Sequence, residues 1–248
     1  MKLINLLEVP EIKRNIESGW RTDENRKIAK KYDKEFFDGD RVNGYGGYFY
    51  DGRWQKVAEK IKNVYHLNSE SSVLDIGCAK GFLLFDLQEK IPGIHIAGID
   101  ISEYAINKTL DGYGKYMYDK FGDDNDAASA HYYDEVLENQ MRKKILPHLI
   151  IGDSKNLPWP DNSFDLVLNI NTLHNLKEEN CIKGINEMNR VSKNPEKIFI
   201  QVDAYRNDEE KKRMEEWVLT AETMKGDKDW IEFFKETGYN GNYFWTIV

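Results

Sequence analysis

Only two cysteines, Cys78 and Cys181, occur among 248 residues. Lone and far apart, they exclude a disulfide framework and a zinc site, so no metal is expected. Missing as well is any apolar run near the roughly 20 residues that a membrane span requires. The opening Met1-Lys2-Leu3-Ile4-Asn5-Leu6-Leu7 is soon broken by Glu8 and Pro10, too short for a secretory leader; a cytoplasmic protein with no membrane partner is expected. Nor is there an excess of positive charge. Lysine and arginine number 35 against 43 acidic residues, for a net charge of -8, and their interleaving leaves no basic footprint for nucleic acid, which favours a small-molecule acceptor.

What the chain does carry is an apolar strand running into a glycine turn and then an apolar helix: Val73-Leu74-Asp75-Ile76-Gly77-Cys78-Ala79-Lys80-Gly81-Phe82-Leu83. Glycine at 77 and 81 lets the backbone turn sharply against a ligand, and the turn opens a helix N-terminus whose free N–H groups face it. Nineteen residues beyond Gly81, a second apolar run ends in Asp100, where a carboxylate can accept both hydroxyls of a ribose. Together these features predict an adenosine site. A dinucleotide fingerprint starting at Gly77 would need glycine at 79 and 82, where Ala79 and Phe82 stand. The close approach that a pyrophosphate demands is therefore absent, whereas S-adenosylmethionine, which has no phosphate, needs only room for its amino-acid end and sulfonium.

At Asp75-Ile76-Gly77-Cys78-Ala79-Lys80-Gly81 the chain resembles the class I S-adenosylmethionine-dependent methyltransferases, whose first motif is D-x-G-C-G-x-G, with alanine here for the middle glycine. A second stretch, Ile150-Ile151-Gly152-Asp153-Ser154, followed by Leu157-Pro158-Trp159-Pro160 and Phe164-Asp165-Leu166-Val167-Leu168-Asn169, resembles the family's adenine-binding acidic turn and fourth strand. The resemblance spans about residues 71–203, in the family's order. It implies an α/β, Rossmann-like fold with a seven-stranded, mostly parallel sheet. It also implies S-adenosyl-L-methionine as cofactor: Asp75, Gly77, Cys78, Ala79, Lys80 and Gly81 shaping the methionine pocket, Asp100 and Ile101 at the ribose, and Asp153, Ser154, Asn169 and Ile170 around the adenine.

Two regions are expected, an N-terminal helical extension over residues 1–70 and the cofactor domain over 71–248. Apolar spacing predicts a helix over 25–37 and another over 55–65. Between them, Tyr45-Gly46-Gly47-Tyr48 and Arg53 lie in a stretch too aromatic for a flexible linker and too glycine-rich for a strand, which reads as an ordered functional loop. Strands at 73–76, 94–99, 149–151, 166–169, 198–202 and 243–248 alternate with helices at 82–89, 103–110, 178–191, 209–219 and 229–237, as a parallel sheet requires. Residues 111–147 form an insertion. Its tyrosines and a helix predicted over 131–144 favour an ordered lid or a contact in a homodimer, while 123–126 form an acidic tip.

Methyl transfer from a sulfonium is an in-line displacement dominated by positioning, though an alcohol acceptor gains from a general base. His174, just beyond the fourth strand, and Asp203, at the end of the fifth, are the two candidate catalytic bases; each has a structural alternative, a loop hydrogen bond for His174 and a helix cap for Asp203. Tyr45, Tyr48 and Arg53 are candidates for holding a sugar, carboxylate or phosphate of the acceptor. Lys80 is either a counter-charge for the cofactor carboxylate or a solvent-facing lysine. The G-Y-G-G-Y loop and the final Gly238-Tyr239-Asn240-Gly241-Asn242-Tyr243-Phe244-Trp245 are similar, more loosely, to bacterial methyltransferases of surface-polysaccharide and capsule biosynthesis. That implies O-methylation of a nucleotide-activated sugar or a phosphoramidate-type precursor. Two alternatives stand beside it: a non-catalytic S-adenosylmethionine-binding sensor or partner subunit, and a macromolecule methyltransferase acting on protein or RNA.

Overall fold

Neighbouring residues of a strand fall on opposite faces of a sheet, and a strand covered on both faces reads as an unbroken apolar run. In β1 (Ser72–Ile76) Val73 enters one core while Leu74 and Ile76 enter a second. The same division runs through β4 (Leu166–Ile170), with Leu166 and Leu168 on one side and Val167 on the other, and through β5 (Ile198–Tyr205). With β2 (His95–Asp100), β3 (Leu149–Ile151), β6 (Lys225–Gly226) and β7 (Asn242–Thr246), they form a seven-stranded sheet of order β3-β2-β1-β4-β5-β6, with β7 also on β5. Every pair of these strands is parallel. The computed structural model describes residues 1–8, 19–123 and 127–248.

Helix α3 (Trp54–Tyr65) buries a stripe of Val57, Ala58, Ile61 and Tyr65 against α4 (Phe82–Lys90), which is buried on nearly all sides. On the opposite face, α9 (Glu178–Val191) buries Cys181, Ile185, Met188 and Val191, and α11 (Asp227–Glu236) buries Trp230, Phe233 and Phe234. Among the described residues no helix is long and apolar enough to cross a membrane.

Three expectations need correction. The helix predicted over 25–37 is two helices, α1 (Asp23–Ala29) and α2 (Lys34–Phe37), because Tyr32 adopts φ +52° and the Asp33 carboxylate takes the Glu35 N–H, restarting the helix. The fifth strand extends to Tyr205, so Asp203 lies within it. The helix that follows, α10 (Asp208–Trp217), is capped by Asn207, which removes the capping alternative for Asp203. Finally, the insertion, which follows α5 (Glu103–Asn107), holds α6 (Tyr113–Phe121), α7 (Ala127–His131), a π-helical stretch (Tyr132–Leu137) and α8 (Glu138–Ile145). It packs beside α4, with Tyr113 edge-on to Tyr50 and Phe85. None of its described residues lines the main cavity. Residues 124–126 of the acidic tip lie outside the described residues.

Under the insertion, Asp86 is 1% exposed and accepts the Tyr50 hydroxyl. Burial pushes its pKa up to about 7, against the Tyr50 bond and Lys90. The folded chain therefore keeps a proton that the unfolded chain releases near pH 4, and this contribution to stability is lost as pH rises from about 4 to 7. Asp86→Asn is expected to shrink the drop in unfolding free energy between pH 5 and pH 8 by on the order of 2–3 kcal/mol, as read by urea denaturation at both pH values. An unchanged drop would show that Asp86 ionises normally.

Candidate active site

The carboxyl ends of the parallel strands open into a cavity of about 510 Å³, where open α/β sheets bind their ligands. Read across the sheet, Asp153 and Ser154 follow β3, Asp100 ends β2 with Ile101 just beyond it, and Gly77 and Ala79 follow β1. Ile170, Asn171, Thr172 and His174 come from β4 and the turn after it, Asp203 from β5 and Thr246 from β7. One edge thus gathers residues from distant parts of the chain.

The glycine turn is shaped by contact. Gly77 has φ +82°, and a Cβ there would lie 2.0 Å from Thr172 Oγ1; Gly81, with φ +75°, starts α4. Ala79, at the family's middle glycine, is held at φ +49°, a left-handed conformation that costs a non-glycine residue roughly 1–2 kcal/mol. Its N–H donates to Asp100 Oδ2 at 2.8 Å while Ser102 N–H donates to Oδ1 at 2.8 Å. Burial raises the Asp100 pKa and these two bonds oppose it. Its fixed carboxylate still has lone pairs for a pair of hydroxyls. Asp153 is oriented by the Lys155 N–H at 3.0 Å and the Lys155 ammonium at 3.1 Å. A glycine turn at the cavity edge, a carboxylate at the β2 end and another beyond β3 are groups that fit S-adenosylmethionine.

Other expected cofactor residues stand elsewhere. The Lys80 ammonium is 0% exposed and bonds Asp38 at 2.8 and 3.0 Å and Asp111 at 2.9 Å. It neither faces solvent nor lines the cavity, because the two carboxylates capture it. Cys78 is buried with its sulfur toward Gly98 of β2, and Gly81 meets Leu149, so both shape the turn from behind. Asp75 lies beneath the turn with its pKa pushed up to about 7 by burial and by Asp100. Asn169 is buried, and its Oδ1 accepts the Leu173 N–H at 2.9 Å; it holds the post-β4 turn and does not line the cavity.

Of the expected acceptor residues, Tyr45 and Arg53 line the cavity. Tyr45 is 43% exposed overall, yet desolvation of its hydroxyl, with Asp100 and Asp203 nearby, pushes its pKa up to about 12. Arg53 is forked onto Asp51 at 2.6–2.9 Å. Tyr48 instead stacks on Phe82, ring centroids 5.0 Å apart, and belongs to the core.

His174 and Asp203 meet at the cavity floor, 4% and 8% exposed. His174 Nδ1 accepts the Asp203 main-chain N–H at 3.0 Å, and Nε2 lies 3.4 Å from Asp203 Oδ2. With Nδ1 occupied as an acceptor, a neutral imidazole carries its proton on Nε2, toward the carboxylate. Burial lowers the histidine pKa, against the pull of Asp203. Burial raises that of Asp203, against His174 and Arg21. The pair therefore sets a carboxyl group with a raised pKa beside an imidazole with a lowered one, an arrangement suited to taking up a proton at Asp203.

Sequence reasoning found only part of the roof. Residues 19–53 fold across the cavity and contribute, beside the expected Tyr45 and Arg53, also Arg21, Tyr32 and Arg41, and the segment after α10 adds Trp217, Leu219 and Thr220. Arg21 bonds the Trp217 carbonyl and Arg26 that of Glu215, tying the two segments together. These contacts bridge almost 200 positions, beyond any local periodicity.

Residues 74–200 match the methyltransferase domain family, just over half of the 248 residues, and the chain belongs to that family. An uncharacterized protein of Methanocaldococcus jannaschii is 38% identical over 71 residues, which make up 29% of this chain and 30% of that relative; the match thus spans under a third of the relative's length. Among solved structures, the YcgJ protein of Bacillus subtilis is similar with TM-score 0.44 and 15% identity, over 73% of this chain and 66% of that one. The PH0226 protein of Pyrococcus horikoshii OT3 is similar with TM-score 0.40 and 21% identity, over 65% and 58%.

Proposed function

We propose that the chain catalyses S-adenosylmethionine-dependent O-methylation of a small polar metabolite, with Asp203 as the base and His174 as its positioning residue. The observation that carries this reading is the order of groups along the sheet edge: adenine- and ribose-type acceptors at β3 and β2, the glycine cradle at β1, and the Asp203–His174 pair at β5. The cofactor, when bound, supplies an electrophilic methyl on sulfur. The protein supplies orientation, exclusion of water by the 19–53 roof, and a carboxylate to take the acceptor proton. Alignment of the reactants alone is worth roughly 7–11 kcal/mol. The acceptor we favour is a nucleotide-activated sugar or a phosphoramidate-type precursor of a surface polysaccharide, a choice that rests on the looser likeness of the 44–48 loop and the C-terminal motif.

Incubation with methyl-labelled S-adenosylmethionine and a cell extract stripped of protein and nucleic acid is expected to label a small molecule, with little sensitivity to salt. Label appearing only when RNA or protein is restored, and lost at high salt, would favour a macromolecular acceptor. Cofactor binding with no transfer to any fraction would favour the non-catalytic reading.

A further inference from the structure

The geometry points to a second binding site, beside the insertion and apart from the main cavity, that takes a small primary ammonium ion: the Asp86 carboxylate accepts its N–H groups, and the rings of Tyr50, Phe85 and Tyr113 surround its alkyl body. The site does not depend on the methyltransferase reading, and none of its residues lines the main cavity.

Its volume is about 170 Å³, and its lining comes from the stretch before α3, from α3, from α4 and from α6. A cavity of about 150 Å³ holds a benzene-sized molecule, so a ligand of roughly five to seven non-hydrogen atoms fits. Tyr50, Phe85 and Tyr113 are all buried. Their rings pack edge-on, with centroids 5.7 Å apart for Tyr50 and Phe85, 5.1 Å for Tyr50 and Tyr113, and 4.9 Å for Phe85 and Tyr113. Rings set edge-on turn their faces in different directions, and ring faces attract cations. The fourth ring, Tyr116, already has the Lys120 ammonium 4.4 Å from its centroid.

Asp86 selects the charged end. Its side chain lines the cavity, its Oδ1 takes the Tyr50 hydroxyl, and its Oδ2 is buried with no hydrogen-bond partner. An unpartnered buried carboxylate oxygen is costly, and a charged N–H is the donor that recovers most of that cost. An apolar ligand would leave Oδ2 as it is. A metal ion would need several oxygen ligands, and among the described residues no three His, Cys, Asp or Glu side chains are grouped to hold one. Of the exposed lining residues, Glu89 adds a negative charge and Lys90 a positive one, so with Asp86 ionised the lining is net negative.

A proton and the ammonium ion compete for the same oxygen. Burial holds the Asp86 pKa up at about 7, while an alkylammonium, like lysine, keeps its charge well above that. Affinity should therefore rise roughly tenfold from pH 6 to pH 8. The groups facing Asp86 are Tyr50 and Asp51 before α3, Gln55 on α3, Glu89 and Lys90 on α4, and Tyr113 and Tyr116 on α6.

The test is calorimetric titration of the full chain with butylammonium chloride and with butanol, at pH 6 and pH 8. Binding of butylammonium at millimolar concentration, tighter at pH 8, with none of butanol, is expected. Asp86→Asn keeps an acceptor for the Tyr50 hydroxyl and removes the charge; it should weaken binding at least about tenfold and erase its pH dependence. Tyr113→Leu, which removes one ring face, should weaken it roughly two- to fivefold. Asp203→Asn, in the main cavity, should leave it unchanged. Circular dichroism of each variant separates unfolding from lost affinity, and if Asp86→Asn unfolds, the wild-type pH dependence and Tyr113→Leu decide. Equal binding of butanol, no binding of butylammonium at pH 8, or binding kept in Asp86→Asn and lost in Asp203→Asn would overturn the proposal.

Discussion

Replacing Lys80 by alanine is expected to destabilise the fold by about 3–5 kcal/mol, the cost of breaking a buried ion pair from one side. The ammonium has no exposed surface and balances Asp38 and Asp111, while Asp38 also accepts the Tyr104 hydroxyl at 2.7 Å and the Tyr48 N–H at 3.0 Å. Burial pushes the Asp38 pKa up, but Lys80 and these donors outweigh it and hold it below its usual value. Removing the cation leaves two enclosed carboxylates facing each other at the point where the cavity roof is anchored to the glycine turn. Urea denaturation at neutral pH measures the loss, and neutralising the acids alongside it (Lys80→Met with Asp38→Asn and Asp111→Asn) should recover much of it. If instead Lys80→Ala kept its stability but lost cofactor affinity, the lysine would be a cofactor ligand.

Asp203→Asn is expected to lower turnover by roughly 10²–10⁴-fold, the usual worth of a general base, with S-adenosylhomocysteine affinity unchanged. The amide keeps the shape of the carboxylate and cannot take a proton. His174→Ala should cost less, because the imidazole only orients: its Nδ1 is already engaged by the Asp203 N–H at 3.0 Å. The wild-type rate should rise with pH through the elevated Asp203 pKa, and that limb should vanish in Asp203→Asn. Near wild-type turnover in both variants would mean that proximity carries the chemistry unaided.

Much of this arrangement was legible because it is local. The 73–83 stretch encodes strand, turn and helix within eleven positions, and α9 forms over the predicted 178–191 because Cys181, Ile185 and Met188 recur at helical spacing. Asp100, Asp153, His174 and Asp203 could be placed because each follows or ends a readable strand, which puts it at the carboxyl edge. Lys80 was misread because its partners, Asp38 and Asp111, lie 42 and 31 positions away. Arg21 went unnoticed for the same reason, its Trp217 partner being 196 positions distant. The Tyr32 break was hidden by apolar spacing that continues through it, while the proposal of Asp203 over His174 as base draws on which imidazole nitrogen the main chain occupies, a detail no pattern of residue types contains.

The central claim, an adenosyl cofactor held at the β1–β2 edge, is tested most directly by isothermal titration of the purified chain with S-adenosylhomocysteine and with NAD, repeated on Asp100→Ala. The account predicts binding of S-adenosylhomocysteine alone, weakened at least about tenfold in the variant by loss of the charged hydrogen bonds to ribose. Binding of NAD in preference, or S-adenosylhomocysteine binding that ignores the loss of Asp100, would contradict it.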